Sequence, residues 1–256
     1  MKHTKQQGLM FQPIAEIIKS CTAGYEGLDN SNLPDCKALN KTFNHSNLNC
    51  KPLSFVTQDL SLPYPELAYE ERIFLHGIIA TRKDNWHDFF NAMVWKKFSQ
   101  SKIAINYIHY QEIQNQSSTV RSRKRDLLTL FDECGVIIIA SDHILQLIKD
   151  HQWKALFVSH KNQWLSNDIQ IITFGHALFE KYQNPYIGMT AQALLLNKQA
   201  FDTDESTNID AFIASGLIGS TLLMNKSELS PLPLLGIPLW HHKQDGHFYS
   251  NTTYFR

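Results

Sequence analysis

The chain has 256 residues, 43% of them hydrophobic and 19% charged, with a formal net charge of zero. That length admits one large domain or two small ones with a substantial core, and 15 Phe, 9 Tyr and 5 Trp favour packed structure over disorder. The neutral balance excludes a global attraction to nucleic acid or anionic lipid, so either partner would need a local patch.

The N-terminus reads Met1-Lys2-His3 and then FQPIAEII, the outline of an export signal. Pro13 and Glu16 break the apolar run and no small-residue cleavage site follows. Lys19 stands two positions before Cys21, where a lipoprotein signal needs a small residue. The expected location is the cytoplasm. Cys21, Cys36, Cys50 and Cys134 form no C-x-x-C pair, so they carry no structural-zinc pattern and are expected as reduced thiols.

A short helix is expected at Ile14 to Ser20. Residues 20–65 are rich in Asn, Ser and Asp, with Pro34, Pro52, Pro63 and Pro65 as punctuation. Residues 1–65 therefore read as an irregular segment packed on a main α+β domain at 66–256. From Asn85 to Phe98 the pattern is helical, with Asn85 as cap and Asp88 in the first turn. Trp86, Phe89, Phe90, Met93 and Val94 make one apolar face, while His87, Asn91, Trp95 and Phe98 make a second. A helix apolar nearly all round is buried, so His87 and Asn91 are expected to face protein or a pocket.

The polar run Gln111 to Thr119 reads as a loop. Asp126 to Cys134 reads as an amphipathic helix with Leu127, Leu128, Leu130 and Phe131 inward, ended by Gly135 in the left-handed conformation. Val136 to Ala140 is a strand, and Ser141 or Asp142 caps a helix reaching about His151. Asp168 to Thr173 is a second strand, feeding a helix from about Phe174 to Tyr182. Gly188 to Asn197 stays open between helix and strand. Ala211 to Asn225 and Leu229 to Trp240 are uncharged, but the first, at 15 residues, falls short of the roughly 20 that span a bilayer. A buried helix, with Gly216 and Gly219 permitting close packing, then a Pro-rich loop is the expectation. Peripheral membrane contact through 211–240 is the alternative. Helices outnumber strands, so the fold class is α+β, a helix-dominated single domain with a small sheet.

No G-x-S-x-G, H-E-x-x-H, P-loop or G-x-G-x-x-G appears. The candidates are subtler. His176 and Glu180 are four apart on one helix face, a spacing that suits metal ligands or a carboxylate orienting an imidazole, and equally an exposed polar pair. Asp132 and Glu133 sit at a helix C-terminus, where the macrodipole favours cations. Arg121, Arg123, Lys124 and Arg125 crowd the start of the same helix, equally against the dipole. His109, in Asn106-x-x-His109, adds a further histidine of unassigned role. The residues expected at a site are Asp132, Glu133 and His87 as catalytic groups, Arg125 and Asn91 on substrate, and His176 and Glu180 on a divalent metal. The leading reading is a metal-dependent or acid/base hydrolase acting on a small anionic substrate. The alternative is a non-catalytic binding module for nucleic acid, a membrane surface or a protein. Four cations in a neutral chain make only a modest nucleic-acid patch.

Five blocks in order resemble a bacterial, mainly proteobacterial, family catalogued as a domain of unknown function. They are TRKDNWHDFFNAMVW (Thr81–Trp95), RDLLTLFDECG (Arg125–Gly135), TFGHALFEK (Thr173–Lys181), LPLLGIPLW (Leu232–Trp240) and FYSNTTYFR (Phe248–Arg256). The resemblance covers about residues 70–256. The family often has Ser or Asn in place of Cys134, which implies that Cys134 is no nucleophile. It implies no fold, activity or cofactor.

Overall fold

A computed structural model describes residues 12–29, 31–115, 121–199 and 208–256. The fold is α+β and dominated by helices, with a small four-stranded sheet and a separate parallel strand pair. The chain opens with α1 (Gln12–Cys21), α2 (Cys36–Asn40) and β1 (Ser54–Thr57). It continues through α3 (Tyr69–His76), β2 (Ile78–Thr81), α4 (Trp86–Lys97) and α5 (Ser99–Gln114). Next come α6 (Arg123–Cys134), β3 (Gly135–Ala140), α7 (Asp142–Lys149) and α8 (Lys161–Leu165). The last elements are β4 (Gln170–Thr173), α9 (His176–Tyr182), β5 (Thr190–Asn197), α10 (Ile209–Ile218) and β6 (Leu229–Pro233).

The sheet order is β4-β3-β5-β6. β3 runs parallel to β5, from Gly135 opposite Gln192 to Ala140 opposite Asn197, and antiparallel to β4. All six residues of β3 are buried, as a β-branched run covered on both faces should be. The stretch left open between helix and strand thus resolves as a strand from Thr190 to Asn197. β1 pairs in parallel with β2, Ser54 opposite Ile78, which ties the Pro-punctuated stretch before residue 65 to the strand that leads into α4.

Three local expectations change. α5 continues to Gln114, so the first part of the stretch read as a loop is helical; residues 116–120 lie outside the described residues. α6 begins at Arg123, with Ser122 as its cap accepting from the Arg125 amide. Gly135 is not left-handed: its φ of −74° and ψ of 139° are extended. Glycine is needed there for space, because a Cβ would lie 2.3 Å from the Phe131 carbonyl oxygen and 2.5 Å from its ring. The helix passes straight into β3 without a loop.

α4 meets its expectation closely. Asn85 accepts from the Asp88 amide at 3.0 Å, and Phe89, Phe90, Ala92, Met93, Val94 and Trp95 are buried. α5 has no side-chain cap of its own residue; Asp210, at the start of α10, accepts from the Gln100 and Ser101 amides at 2.9 and 2.8 Å. The uncharged C-terminal region divides. Leu229, Leu232, Leu234, Leu235 and Ile237 are buried, with 229–233 as strand β6 where a loop is expected. The expected buried helix is α10, which buries Ile213 and Leu217 but exposes Phe212 and Ile218. Among the described residues no helix is long and apolar enough to cross a membrane. The four cysteines are free thiols.

Candidate metal centre

α4, α6 and α9 converge at one place. α9 starts where β4 ends, and its entry is fixed by backbone contact with the α6–β3 junction. The Gly175 amide donates to the Gly135 carbonyl at 2.8 Å. A Cβ at Gly175 would stand 2.5 Å from the Glu133 carbonyl oxygen and 2.5 Å from the Gly135 nitrogen. This close approach, open only to glycine, sets His176 beside the last turn of α6.

The result is a cluster of His87, Glu133 and His176. His87 Nε2 and His176 Nε2 are 3.1 Å apart. One Glu133 oxygen, Oε2, lies 3.6 Å from His176 Nε2 and 3.9 Å from His87 Nε2. Ligands about 2.0–2.2 Å from a tetrahedral metal are separated by roughly 3.3–3.5 Å, within the range these three atoms span. The outer shell is also formed: Glu180 Oε2 lies 3.3 Å from His87 Nδ1, on the side of the ring away from His176. A carboxylate on the far nitrogen fixes tautomer and orientation and leaves Nε2 with its lone pair forward.

His176 is almost fully buried, and burial pushes its pKa down to about 4 against the pull of Asp132, so its ring is neutral near pH 7. Its Nδ1 faces Asp132, whose Oδ2 is 3.8 Å away, beyond hydrogen-bond length. Burial pushes the Glu133 carboxyl up, with Asp132 adding to the effect and His87 opposing it. Asp132 is held differently. Lys102 Nζ, itself buried, donates to both of its oxygens at 2.6 and 2.7 Å. Burial alone would raise Asp132, but Lys102 and then His176 outweigh it and hold the carboxyl below the usual range.

Six of the seven residues expected around the chemistry on α4, α6 and α9 therefore gather in one region, with distinct contacts; the seventh, Arg125, stands at the other end of α6. His87, Glu133 and His176 share a centre; Glu180 backs His87; Asp132 lies behind His176. Asn91 faces the same region with its amide engaged, donating to the Tyr69 hydroxyl at 3.1 Å and accepting from Lys102 at 3.0 Å. The centre opens on a cleft of about 430 Å³, which Arg125 lines from the other end of α6. Lys102 escaped the sequence reading. A lysine inside a helix of mixed polarity looks solvated, and only its distant partner Asp132 explains its burial; its cation also lies over the Trp95 ring, 5.2 Å from the centroid.

The basic run ahead of β3 is partly spent inside the molecule. Arg121 Nε pairs with Asp126 at 3.1 Å and its Nη2 donates to the Thr129 hydroxyl. Lys124 Nζ donates to the Leu223 carbonyl at 2.7 Å.

Fold and site together define an α+β protein with two histidines and a glutamate, carried on three helices, facing a polar cleft. The chain belongs to the family described as "Protein of unknown function (DUF3025)", whose model matches residues 53–256. No curated protein and no solved structure matches it.

Proposed function

We propose that the protein is a divalent-metal-dependent hydrolase acting on a small anionic substrate. The observation that carries this reading is the convergence of His87 Nε2, His176 Nε2 and Glu133 Oε2 within 3.9 Å of one another. Three protein ligands leave a coordination position for water, the arrangement of catalytic rather than structural zinc sites. His87, His176 and Glu133 would hold such an ion, and the chemistry it would supply is activation of a water near neutral pH. Two imidazoles and one carboxylate suit zinc, manganese or ferrous iron, and exclude calcium and magnesium by donor type.

In this reading His87, His176 and Glu133 are ligands. Glu180 orients His87, and the Lys102–Asp132 pair sets the electrostatic floor behind His176. Arg125 gives the cleft its preference for an anion. The wholly non-catalytic alternative is less well supported, because Arg121 and Lys124 already have internal partners.

The test is hydrolysis of a panel of small carboxylate-bearing esters and amides and of phosphodiesters by purified protein. Activity abolished by a chelator, restored by zinc, manganese or ferrous iron, and absent from His176→Ala would support the reading. Turnover indifferent to the chelator would refute it.

A further inference from the structure

α6 carries, at each end, charge of the same sign as its dipole there. Asp132 and Glu133 stand in its last turn; Arg121 precedes its cap, and Arg125 lies in its first turn. Arg125, Thr129 and Glu133 follow one another along one side of the helix, and all three line the same cleft. At 1.5 Å per residue, Arg125 and Glu133 are roughly 12 Å apart along the axis. The cleft therefore has two poles, one suited to a cation and one to an anion.

A basic helix start alone would be weak ground. The second observation is His109 on α5, 2% exposed, which lines the cleft and whose Nδ1 has no hydrogen-bond partner among the described residues. Leaving such a buried polar atom unmatched costs on the order of 1–3 kcal/mol, which a ligand atom would recover. Burial keeps the ring neutral by lowering its proton affinity; Glu70 and Asp132 pull the other way, and Arg121 and Arg125 reinforce it. Glu70 is the carboxylate a bound anion would have to avoid, and its Oε2 is already held by Asn106 Nδ2 at 2.6 Å.

We propose that Arg125 and His109 form an oxyanion subsite for the terminal carboxylate or phosphate of an elongated small molecule whose hydrolysable bond reaches the metal centre. The identity of the group at the metal end rests on the hydrolase reading; the oxyanion subsite does not. The separation of the poles matters to the substrate class. With the two poles roughly 12 Å apart along the α6 axis, the anion held at Arg125 and the bond cleaved at the metal centre belong to different ends of the substrate. Substrates are bifunctional: a scissile ester, amide or similar bond at one end, a charged terminus at the other.

The test uses metal-stripped full-length protein, titrated calorimetrically with inorganic phosphate and, separately, with succinate at fixed ionic strength. Saturable binding of either is expected, weakened tenfold or more by Arg125→Gln and by His109→Phe, and unchanged in His176→Ala. Phosphate or succinate preference names the terminal group. Should Arg125→Gln fail to fold, Arg125→Lys, which keeps the charge but loses the planar fork that grips an oxyanion on two nitrogens, gives the same readout. No saturable binding of either anion, or binding equal to wild type in the folded Arg and His109 variants, overturns the subsite. Loss of zinc binding in His176→Ala tests the metal centre separately, so the two ideas fail independently.

Discussion

His87 Nε2 and His176 Nε2 face each other at 3.1 Å, from helices 89 positions apart in the sequence. Two ring nitrogens this close need a proton between them or an ion that accepts both lone pairs. Glu180, on the opposite nitrogen of His87, is what makes the second arrangement available, because its carboxylate accepts a hydrogen bond from Nδ1–H and leaves Nε2 with its lone pair.

Glu180→Gln should therefore weaken metal binding while sparing the fold. Glu180 is half exposed and touches the centre only through His87. Loss of an outer carboxylate of this kind typically costs 10- to 100-fold, so a drop of about that size in zinc affinity is expected by calorimetry. Affinity equal to wild type would remove Glu180 from the centre.

Lys102→Met should destabilise the protein by about 3–5 kcal/mol, since it leaves Asp132 charged and largely buried without its cation. The double variant Lys102→Met/Asp132→Leu should recover much of that loss. Denaturant unfolding of wild type, Lys102→Met, Asp132→Leu and the double variant checks this, and additive losses would mean the two side chains are not energetically coupled.

How much of this could be read from the chain differs by residue. The Asn85 cap, the buried α4 and the β3 strand follow from local pattern, because cap chemistry and β-branched runs act over a few positions. The spacing of His176 and Glu180 was also visible, but its use was not. The two residues divide: His176 offers its Nε2 to the centre itself, while Glu180 reaches the centre through the opposite nitrogen of His87. Nothing local announces that α9 will lie against α4. That depends on Gly175 resting on the Glu133–Gly135 backbone, a contact across some 40 positions that no periodicity encodes. Gly135 shows the same limit, since a helix-ending glycine invites the left-handed reading, whereas its pairing with Gln192 at the start of β3 makes it extended and the closeness of Phe131 makes it glycine.

Gly175→Ala should uncouple the centre. Its φ of −63° suits any residue, so the added methyl acts by bulk alone, against backbone atoms at 2.5 Å that cannot swing aside. Overpacking of this kind costs about 1–3 kcal/mol. It should also lower zinc affinity, since His176 and Glu133 are pushed apart. Unchanged stability and affinity would show that the α6–α9 junction is more pliable than its contacts imply.

Acid should expose the buried histidine in metal-free protein. With a folded pKa of about 4 against 6.5 for the ordinary ring, His176 stays neutral where the unfolded chain takes a proton. The unfolded state then binds more protons, and stability falls as pH drops from about 6.5 toward 4. His109, also lowered by burial, acts in the same direction, while Glu133, raised by burial, acts in the opposite one. Between pH 7 and pH 5, His176→Gln should lose less stability than wild type by on the order of 2 kcal/mol. Parallel pH profiles for the two proteins would mean that His176 titrates as an ordinary ring.

The most direct measurement is an anomalous difference map from crystals grown with excess zinc and recorded at the zinc absorption edge. One peak per chain is expected, about 2.0–2.2 Å from His87 Nε2, His176 Nε2 and a Glu133 oxygen, with Glu180 still on His87 Nδ1. An absent peak, or one bound by other residues while these three side chains keep their present contacts, would contradict the metal centre.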